Sequence, residues 1–405
     1  MKILIENIKQ LIQVREEVPA PLRGKTMDEL PVIDNAFLLI EDGIISNFGP
    51  MEEMPVIHAD QVIDAKERMV FPAWVDSHTH LVFPESRYGE FIDKIRGLSY
   101  EEIAAKGGGI LNSARRLRQM SEDELYEKAE KRLRLLKQYG TGAVEIKSGY
   151  GLSTEGELKM LRVIKRLKES ENIPVKATFL GAHAVPENMN KADYVRLIVE
   201  EMLPEIAKHN LADYVDVFCE TGYFDTQDTE IILDAAAKYG LKPKIHINQF
   251  TAIGGIEIAV KYHAVSVDHL EVMTEQDFRA LQHSDTVATV LPGCSFFIHI
   301  PYAPAKEMIE RNITLALATD FNPGSAPSWN MNFMVSLACI KQKLTPAQAI
   351  NAATVNAGYA LELQHEAGMI RKGTPARVFL SIPLTHYGEL PYYFGINPVE
   401  KTIGF

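Results

Sequence analysis

The chain contains few of the residues that build disulfide frameworks or membrane spans. Only three of its 405 residues are cysteine, Cys219, Cys294 and Cys339, and no two of them form a CxxC pair. Scattered cysteines in odd number are typical of a reducing compartment. No run approaches the roughly 18 uncharged apolar residues that a membrane helix needs, and the first residues lack the basic start of a signal peptide. We therefore expect a cytoplasmic protein without a membrane partner.

Basic residues are also in the minority. The sequence has 42 Lys and Arg against 54 Asp and Glu, which gives a formal net charge of −12. An acidic surface disfavours nucleic acid as the main partner, because the phosphate backbone is held by positive charge. Hydrophobic residues make up 46% of the chain, which is ordinary for a globular protein. The length suits a barrel of about 250 residues together with a smaller accessory unit.

The middle of the chain alternates short apolar runs, rich in β-branched residues, with longer amphipathic stretches. Eight strands that alternate with helices favour a parallel (β/α)8 TIM-like barrel over an open sheet. The predicted strands span residues 70–76, 142–147, 175–183, 214–220, 243–247, 264–270, 286–291 and 315–320, and the clearest predicted helices span residues 122–138, 155–169, 192–208 and 229–239.

Both ends of the chain read as short strands and turns instead. Near the start, two apolar runs flank Glu41-Asp42-Gly43, and Asp-Gly between such runs is a strong hairpin signal. A similar pattern follows Gly368. We expect residues 1–67 and 366–405 to form one small all-β accessory domain, with the barrel in residues 68–365.

Polar side chains end most of the predicted barrel strands, and the carboxyl ends of such strands converge on one face. His78 and His80 are two residues apart, so that in an extended segment they point the same way. His246 ends another strand and Asp320 ends the last one. Each residue alone is explained by a core hydrogen bond, a helix cap or a salt bridge. Together they indicate a site for one divalent ion, Zn²⁺ or alternatively iron, with a position open for water.

Longer segments resemble a known family. Residues 71–81, 106–110, 145–151, 179–186, 266–271 and 318–325 are similar, in order, to segments of the imidazolonepropionases, which are metal-dependent amidohydrolases. The resemblance implies hydrolysis of a small molecule: the ring amide of 4-imidazolone-5-propanoate is opened to N-formimidoyl-L-glutamate in histidine degradation. It also implies a homodimer.

The resemblance assigns roles to individual residues. A guanidinium group suits the propionate of that substrate. His269 and Asp320 are expected to carry protons, and His183 to stabilise the oxyanion together with the metal. The residues alone leave open whether Asp268 or His269 points inward. The implied metal ligands are His78, His80, His246 and Asp320; the implied substrate contacts are Arg87, Tyr150, His183, Gln249, Asn322, Gly324 and Ser325.

A few positions depart from related patterns and leave alternatives open. Gln249 stands where aromatic-ring deaminases carry Glu, and glutamine cannot relay protons in that way. Asn248 stands where the family often has an acidic residue, and Arg377 replaces an aspartate common in the superfamily. Lys147 raises the alternative of two ions bridged by a carboxylated lysine, but it fits the imidazolonepropionase segment better and is assigned no metal. An aromatic deaminase and an inactive binding scaffold are the competing functions, and we expect the loop at residues 107–109 to close over the substrate.

Overall fold

The computed structural model describes residues 1–66, 68–98, 102 and 108–405. The predicted hairpin is confirmed: two strands pair through a turn in which Asp42 (φ 49°) and Gly43 (φ 80°) are left-handed, as a tight hairpin turn requires. The chain opens with strands β1 (Lys2–Ile12), β2 (Val32–Glu41), β3 (Ile44–Pro50), β4 (Gln61–Asp64) and β5 (Arg68–Pro72), with 3₁₀ turns at Gly24–Asp28 and Met51–Glu53.

Eight parallel strands follow and confirm the predicted barrel. They lie side by side in chain order, and the first meets the last through a parallel bridge between Thr79 and Phe321. The amide of His80 donates to the carbonyl of Phe321 at 2.9 Å, which helps to close the barrel. The strands are β6 (Trp74–Asp76), β7 (Thr141–Lys147), β8 (Val175–Ala182), β9 (Tyr214–Cys219), β10 (Lys242–Ile247), β11 (Ser266–His269), β12 (Val287–Val290) and β13 (Leu315–Leu317).

The prediction of a single strand at residues 70–76 was wrong, because this segment contains the end of β5 and the whole of β6. At Ala73 the chain changes partners: the amide of Ala73 donates to Arg377 in the accessory sheet, and the amide of Trp74 donates to Gly140 in the barrel. An apolar run that is buried throughout gives no local sign of such a switch. The domain boundary between residues 67 and 68 stays a prediction, and β5 beyond it still pairs within the accessory sheet.

Helices surround the barrel, and several of them begin at a residue whose side chain caps the first turn. Ser121 accepts a hydrogen bond from the amide of Glu124, whose side chain returns to Ser121, so the helix predicted at 122–138 starts at a capping box. The helix predicted at 192–208 is interrupted by a π-helical turn at Ile198–Met202. The helices are Tyr88–Ile95, Gly109–Gln119, Glu122–Gln138, Thr154–Ser170, Lys191–Leu197, Leu203–Lys208, Thr226–Ala237, Gly255–Lys261, Glu275–Gln282, Pro292–Ile298, Ala305–Glu310, Met331–Ile340, Pro346–Ala353, Val355–Ala360 and Glu389–Tyr392.

The chain then returns to the first sheet with β14 (Val378–Pro383) and β15 (Val399–Ile403). The order in that sheet is β15-β14-β5-β1-β2-β3, with β4 beside β1, so the two ends do meet in one all-β unit as predicted. The rings of Phe71 and Phe379 stack with centroids 5.2 Å apart, and Trp74 of β6 lies 5.3 Å from Phe379. This aromatic cluster joins the sheet to the start of the barrel.

Among the helices of the described residues, none is long and apolar enough to cross a bilayer.

Candidate active site

The four predicted metal ligands meet at the carboxyl ends of the barrel strands. His78 and His80 follow β6, His246 lies in β10, and Asp320 follows β13. Asp320 Oδ1 is 3.5 Å from Nε2 of both His78 and His80, and Nε2 of His80 is 3.3 Å from Nε2 of His246. Two ligand atoms at about 2.1 Å from one ion in tetrahedral geometry are about 3.4 Å apart. The spacing therefore fits the coordination shell of a single ion.

Unpartnered atoms point to the same conclusion. His78 Nε2, His80 Nδ1 and Asp320 Oδ2 are buried and have no hydrogen-bond partner among the described residues. Leaving a polar atom buried in this way costs about 1–3 kcal/mol. A cation bound by His78 Nε2 and the Asp320 carboxylate would remove that cost for both residues. The set of ligand atoms therefore fits a divalent metal.

Two buried carboxylates orient the ligand histidines. His78 Nδ1 lies 2.7 Å from Asp268 Oδ2, and His246 Nδ1 lies 2.8 Å from Asp216 Oδ2. A histidine that donates from Nδ1 keeps the lone pair of Nε2 for a metal. Asp216 was not predicted from the sequence, although an acidic residue inside the apolar strand β9 is a usable signal, because an isolated buried carboxylate is costly.

The protonation of the site suits metal binding. Burial is the main cause that lowers the pKa of His78, His80 and His246 well below the ordinary value. The next largest effect comes from Lys147 for His78 and His246, and from His183 for His80. These rings therefore stay neutral, which is the form that binds metals. Burial raises the pKa of Asp320 to about 6, and His269 opposes this shift.

Asp268 and His269 both face the site, which resolves the choice left open by the sequence. The Asp268 carboxylate contacts Nδ1 of the His78 ring, while the His269 ring lies 5.2 Å from the ring of His246. The backbone leaves the extended conformation at His269 (φ 91°), so the usual alternation of side chains ends there. Burial alone would lower the pKa of His269, but Glu271, 3.5 Å from its Nδ1, raises it above the ordinary value.

His183 stacks on His80, with ring centroids 5.2 Å apart. Its Nδ1 is 3.1 Å from the carbonyl oxygen of Gly149, and since a carbonyl only accepts, Nδ1 carries the proton. Burial lowers the pKa of His183 to about 4, so the ring is neutral and its Nε2 is an acceptor. This geometry does not match the expected role of His183 as a donor to an oxyanion, because a neutral Nε2 has no proton to donate.

Tyr150 lies in a loop that one buried carboxylate holds in place. Glu157 accepts from the amides of Gly149 (2.9 Å), Gly151 (2.7 Å) and Leu152 (3.0 Å). Gly149 has φ +110°, and a Cβ there would lie 2.8 Å from His183 Nδ1, so only glycine fits. Tyr150 itself is buried, with 2% of the residue exposed. Glu157 was not singled out from the sequence.

Arg87 shares a wall of the site with Tyr150 and Gly324. Its Cζ lies 5.7 Å from the centre of the Tyr150 ring, and its Nε donates to Ser113 Oγ at 3.0 Å. A methyl group on Gly324 would lie 2.6 Å from Arg87 Nη1. The absence of a side chain at Gly324 therefore makes room for the guanidinium group.

The side chain of Asn322 builds the turn after Asp320. Its Oδ1 accepts from the amides of Gly324 (2.8 Å) and Ser325 (2.7 Å), and its Nδ2 donates to the carbonyl of Asp320 at 2.7 Å. Its direct contact with substrate stays a prediction. Gln249 also lies in the site, where its Nε2 donates to Cys294 Sγ at 3.3 Å.

Lys147 is an ammonium group in an ion-pair network. Its Nζ lies 2.7 Å from Glu145 Oε1 and 2.9 Å from Asp216 Oδ2. Burial would lower the pKa of Lys147, but Asp216, Glu145 and Asp268 raise it above the ordinary value. A lysine held protonated is not carboxylated, which supports the assignment of Lys147 to no metal. Of the predicted closing loop, residue 107 lies outside the described residues.

Comparison with known proteins gives consistent matches. Residues 84–378 match the amidohydrolase family. The imidazolonepropionase of Flavobacterium johnsoniae is 55% identical over 405 residues, covering 100% of this chain and 98% of that protein. The imidazolonepropionase of Geobacillus thermodenitrificans is 39% identical, covering 99% of this chain and 96% of that protein. The crystal structure of a Xanthomonas campestris adenosine deaminase with bound zinc has a TM-score of 0.69 at 15% identity, covering 99% of this chain and 91% of that one, and shows a shared fold.

Proposed function

The chain belongs to the imidazolonepropionases of the amidohydrolase family, and from this membership we propose that it hydrolyses the ring amide of 4-imidazolone-5-propanoate to N-formimidoyl-L-glutamate. One observation carries the proposal for this site: a cationic wall adjoins the candidate metal ligands. Arg87 lies 5.7 Å from the Tyr150 ring, whose centre is 5.9 Å from that of His80. We propose that a small cyclic amide binds with its ring beside the metal ligands and its carboxylate on Arg87.

The proposed cofactor is one divalent ion, held by Nε2 of His78, His80 and His246 and by the carboxylate of Asp320. Amidohydrolases are metal-dependent enzymes, and the residues present here fit a metal. We propose Zn²⁺, with iron as the alternative; three imidazoles and one carboxylate suit both, and the structurally similar adenosine deaminase holds zinc. Such an ion, when bound, lowers the pKa of a coordinated water and polarises an amide carbonyl.

The protein's own residues bind and orient the substrate. Arg87 pairs with the propionate, and Tyr150 packs beside it. Nε2 of the neutral His183 accepts a hydrogen bond from a ring N–H of the substrate, instead of the oxyanion role expected from the sequence. Gln249, Gly324 and Ser325 complete the proposed contacts with the ring. Fixing the ring in this way converts attack by water into a reaction between oriented partners.

Proton transfer falls to Asp320 and His269. Water forms a bond to the carbonyl carbon, the ring C–N bond breaks, and the leaving nitrogen must gain a proton. Asp320 Oδ2 is buried without a hydrogen-bond partner among the described residues, so this oxygen is available to accept the proton of the water. Ligand atoms of His269, His78 and His246 lie within 4.8 Å of one another, which places His269 close enough to donate the proton or to guide the water.

A deaminase of aromatic rings is the competing function, and the residue at position 249 disfavours it. A glutamine there cannot relay a proton to a ring nitrogen, and its amide is engaged with Cys294. An inactive scaffold is disfavoured because all four ligand residues come together. We further propose a homodimer, which the resemblance supports, and a cytoplasmic location, which the free cysteines support. The net charge of −12 supports the proposal that neither nucleic acid nor a membrane is a partner.

The proposed reaction is tested by identifying its product. The purified chain, loaded with zinc, is incubated with 4-imidazolone-5-propanoate, and in parallel with guanine and cytosine. We expect N-formimidoyl-L-glutamate by NMR and mass spectrometry, and no ammonia from the two bases. Release of ammonia from a base, with the imidazolone left intact apart from its spontaneous decay, would replace the proposal with the deaminase.

A further inference from the structure

A layer of buried charge lies directly beneath the candidate metal centre. In a (β/α)8 barrel, each interior layer is built by alternate strands and is usually filled by branched aliphatic side chains. Here β7, β9 and β11, the second, fourth and sixth barrel strands, contribute Lys147, Asp216 and Asp268. The side chains of all three are fully buried. The mechanism proposed above uses Lys147 in no chemical step, so its presence needs another explanation.

The contacts of Lys147 supply one. Its Nζ lies 2.9 Å from Asp216 Oδ2 and 3.6 Å from Asp268 Oδ2. The same oxygen of Asp216 contacts Nδ1 of His246 at 2.8 Å, and the same oxygen of Asp268 contacts Nδ1 of His78 at 2.7 Å. One ammonium group therefore adjoins both oxygen atoms that set the orientation of the ligand histidines.

We propose that Lys147 is a positioning residue of the metal centre, which holds two ligand histidines from opposite sides of the barrel in register through Asp216 and Asp268. The inference rests on the proposed function, because it presumes that His78 and His246 bind a metal. Its effect is on metal affinity and coordination geometry, and Lys147 itself touches neither ion nor substrate.

The remaining contacts of the two carboxylates explain why the lysine matters. Asp216 Oδ1 accepts from the amide of His246 at 3.0 Å, and Asp268 Oδ1 accepts from Ser266 Oγ at 2.6 Å. Each carboxylate thus has one hydrogen bond on its other oxygen, and Lys147 provides the cation on the oxygen that faces the histidine. Removing one member of a buried ion cluster leaves the partner charges uncompensated, so both carboxylates would relax together and take the imidazoles with them.

Lys244 is a matched control inside the same barrel. It is also fully buried, but its Nζ donates to Ser266 Oγ at 2.9 Å and to the carbonyl of Ala360 at 3.0 Å. Lys244→Met therefore removes a buried ammonium group, with the attendant loss of stability, that contacts neither oxygen facing a histidine. Lys244 reaches Asp268 through Ser266 and through its charge, so the comparison isolates the direct contacts of Lys147.

The test measures zinc affinity by competition with a chromogenic chelator for the full-length protein, Lys147→Met and Lys244→Met. Loss of an outer partner of a metal ligand typically costs about 10- to 100-fold in affinity. We expect the zinc dissociation constant to rise by that factor in Lys147→Met and by at most a few-fold in Lys244→Met. The visible spectrum of the cobalt-substituted protein should change in Lys147→Met, because the ligand field follows the orientation of the imidazoles. If Lys147→Met does not fold, Lys147→Gln takes its place.

A double-mutant cycle tests the route of the effect. If Lys147 acts through the two carboxylates, Lys147→Met should add little to the affinity loss of the Asp216→Asn/Asp268→Asn protein, since interacting residues are non-additive. Three outcomes would each overturn this inference while leaving the proposed metal centre intact, provided that the parent protein binds zinc normally. They are full additivity in the cycle, equal losses of affinity in the two lysine variants, and unchanged affinity in Lys147→Met. A parent protein that binds no zinc or iron would instead overturn the proposed metal centre.

Discussion

Nε2 of His80 and Nε2 of His246 lie 3.3 Å apart although 166 residues separate them in the chain. His246 is fixed from behind, because its Nδ1 contacts Asp216. Two imidazole nitrogens aimed at each other, with the Asp320 carboxylate 3.5 Å from the first, leave a gap of the size that one tetrahedral ion fills. This pair, more than either residue alone, supports the proposed metal site at the mouth of the barrel.

The first prediction concerns the substrate carboxylate. Arg87→Ala should lower kcat/KM for 4-imidazolone-5-propanoate by about 10- to 100-fold, since a charge-assisted hydrogen bond is worth about 1.5–3 kcal/mol. Most of the change should fall on KM, and bound metal should stay at the level of the parent protein. Steady-state kinetics with parallel metal analysis checks both. Loss of metal in Arg87→Ala would show that the residue supports the metal centre instead.

Gly324 offers an independent test of the same wall. A methyl group there would lie 2.6 Å from Arg87 Nη1, so Gly324→Ala should displace the guanidinium group and raise KM in the same direction as Arg87→Ala. In the Arg87→Ala background the added methyl group should have a smaller effect on KM, because only the proposed contact of Gly324 with the ring remains to be disturbed. An equal effect in both backgrounds would mean that Gly324 acts on the substrate directly.

Glu157 is predicted to position Tyr150. Glu157→Gln replaces an acceptor of three backbone amides with a side chain that carries its own N–H donors, at a cost of about 1–3 kcal/mol. We expect a lower melting temperature and a higher KM with unchanged metal content. Glu155→Gln on the same helix is the control, because that side chain is 74% exposed. Unchanged KM in a destabilised Glu157→Gln would leave Glu157 with a structural role only.

The buried histidines of the metal-free protein should make a contribution to stability that is lost in mild acid. Burial lowers the pKa of His183 to about 4 and that of His78, His80 and His246 in the same direction. Unfolded histidines take up protons near pH 6.5, whereas these folded rings do not. The contribution of these rings to the free energy of unfolding should therefore fall as the pH drops below about 6.5, and for His183 continue to fall to about pH 4, by at most about 1.4 kcal/mol per pH unit for each ring. The raised pKa of Asp320 acts in the opposite direction, so the histidine contribution is measured one ring at a time.

Urea denaturation of the chelated protein across that range measures this effect, and His183→Gln isolates one ring. The difference in unfolding free energy between the two proteins should change with pH below about 6.5. A constant difference would mean that His183 titrates normally in the folded protein.

Much of the site follows from the sequence, because barrel strands place their final residues on one face. That rule brought His78, His246 and Asp320 together without any structural information. The rule stops where the backbone departs from an ideal strand: the positive φ of His269 brings its side chain to the same site as its neighbour Asp268, and Ala73 transfers the chain from one sheet to the other.

The supporting residues were harder to predict because their partners are distant in sequence. Glu157 reads as an ordinary first-turn residue of a helix, and only the fold brings the loop around Tyr150 onto it. Lys147 and Asp216 each look anomalous in a buried strand, but their pairing depends on the register of the barrel. The role that we propose for His183 differs from the expected one for a similar reason, since the carbonyl of Gly149 favours the tautomer with the proton on Nδ1.

The most direct test is a metal titration of activity. Protein that a chelator has stripped of metal, and that remains folded, receives increasing zinc, or ferrous iron under anaerobic conditions. The decay of 4-imidazolone-5-propanoate absorbance is followed against a protein-free control. We expect no catalysed decay without metal. The rate should rise linearly with added metal and level off at about one ion per chain, because the four ligands surround one site. Full activity of the metal-free protein, or a rise that continues to two ions per chain, would contradict our account.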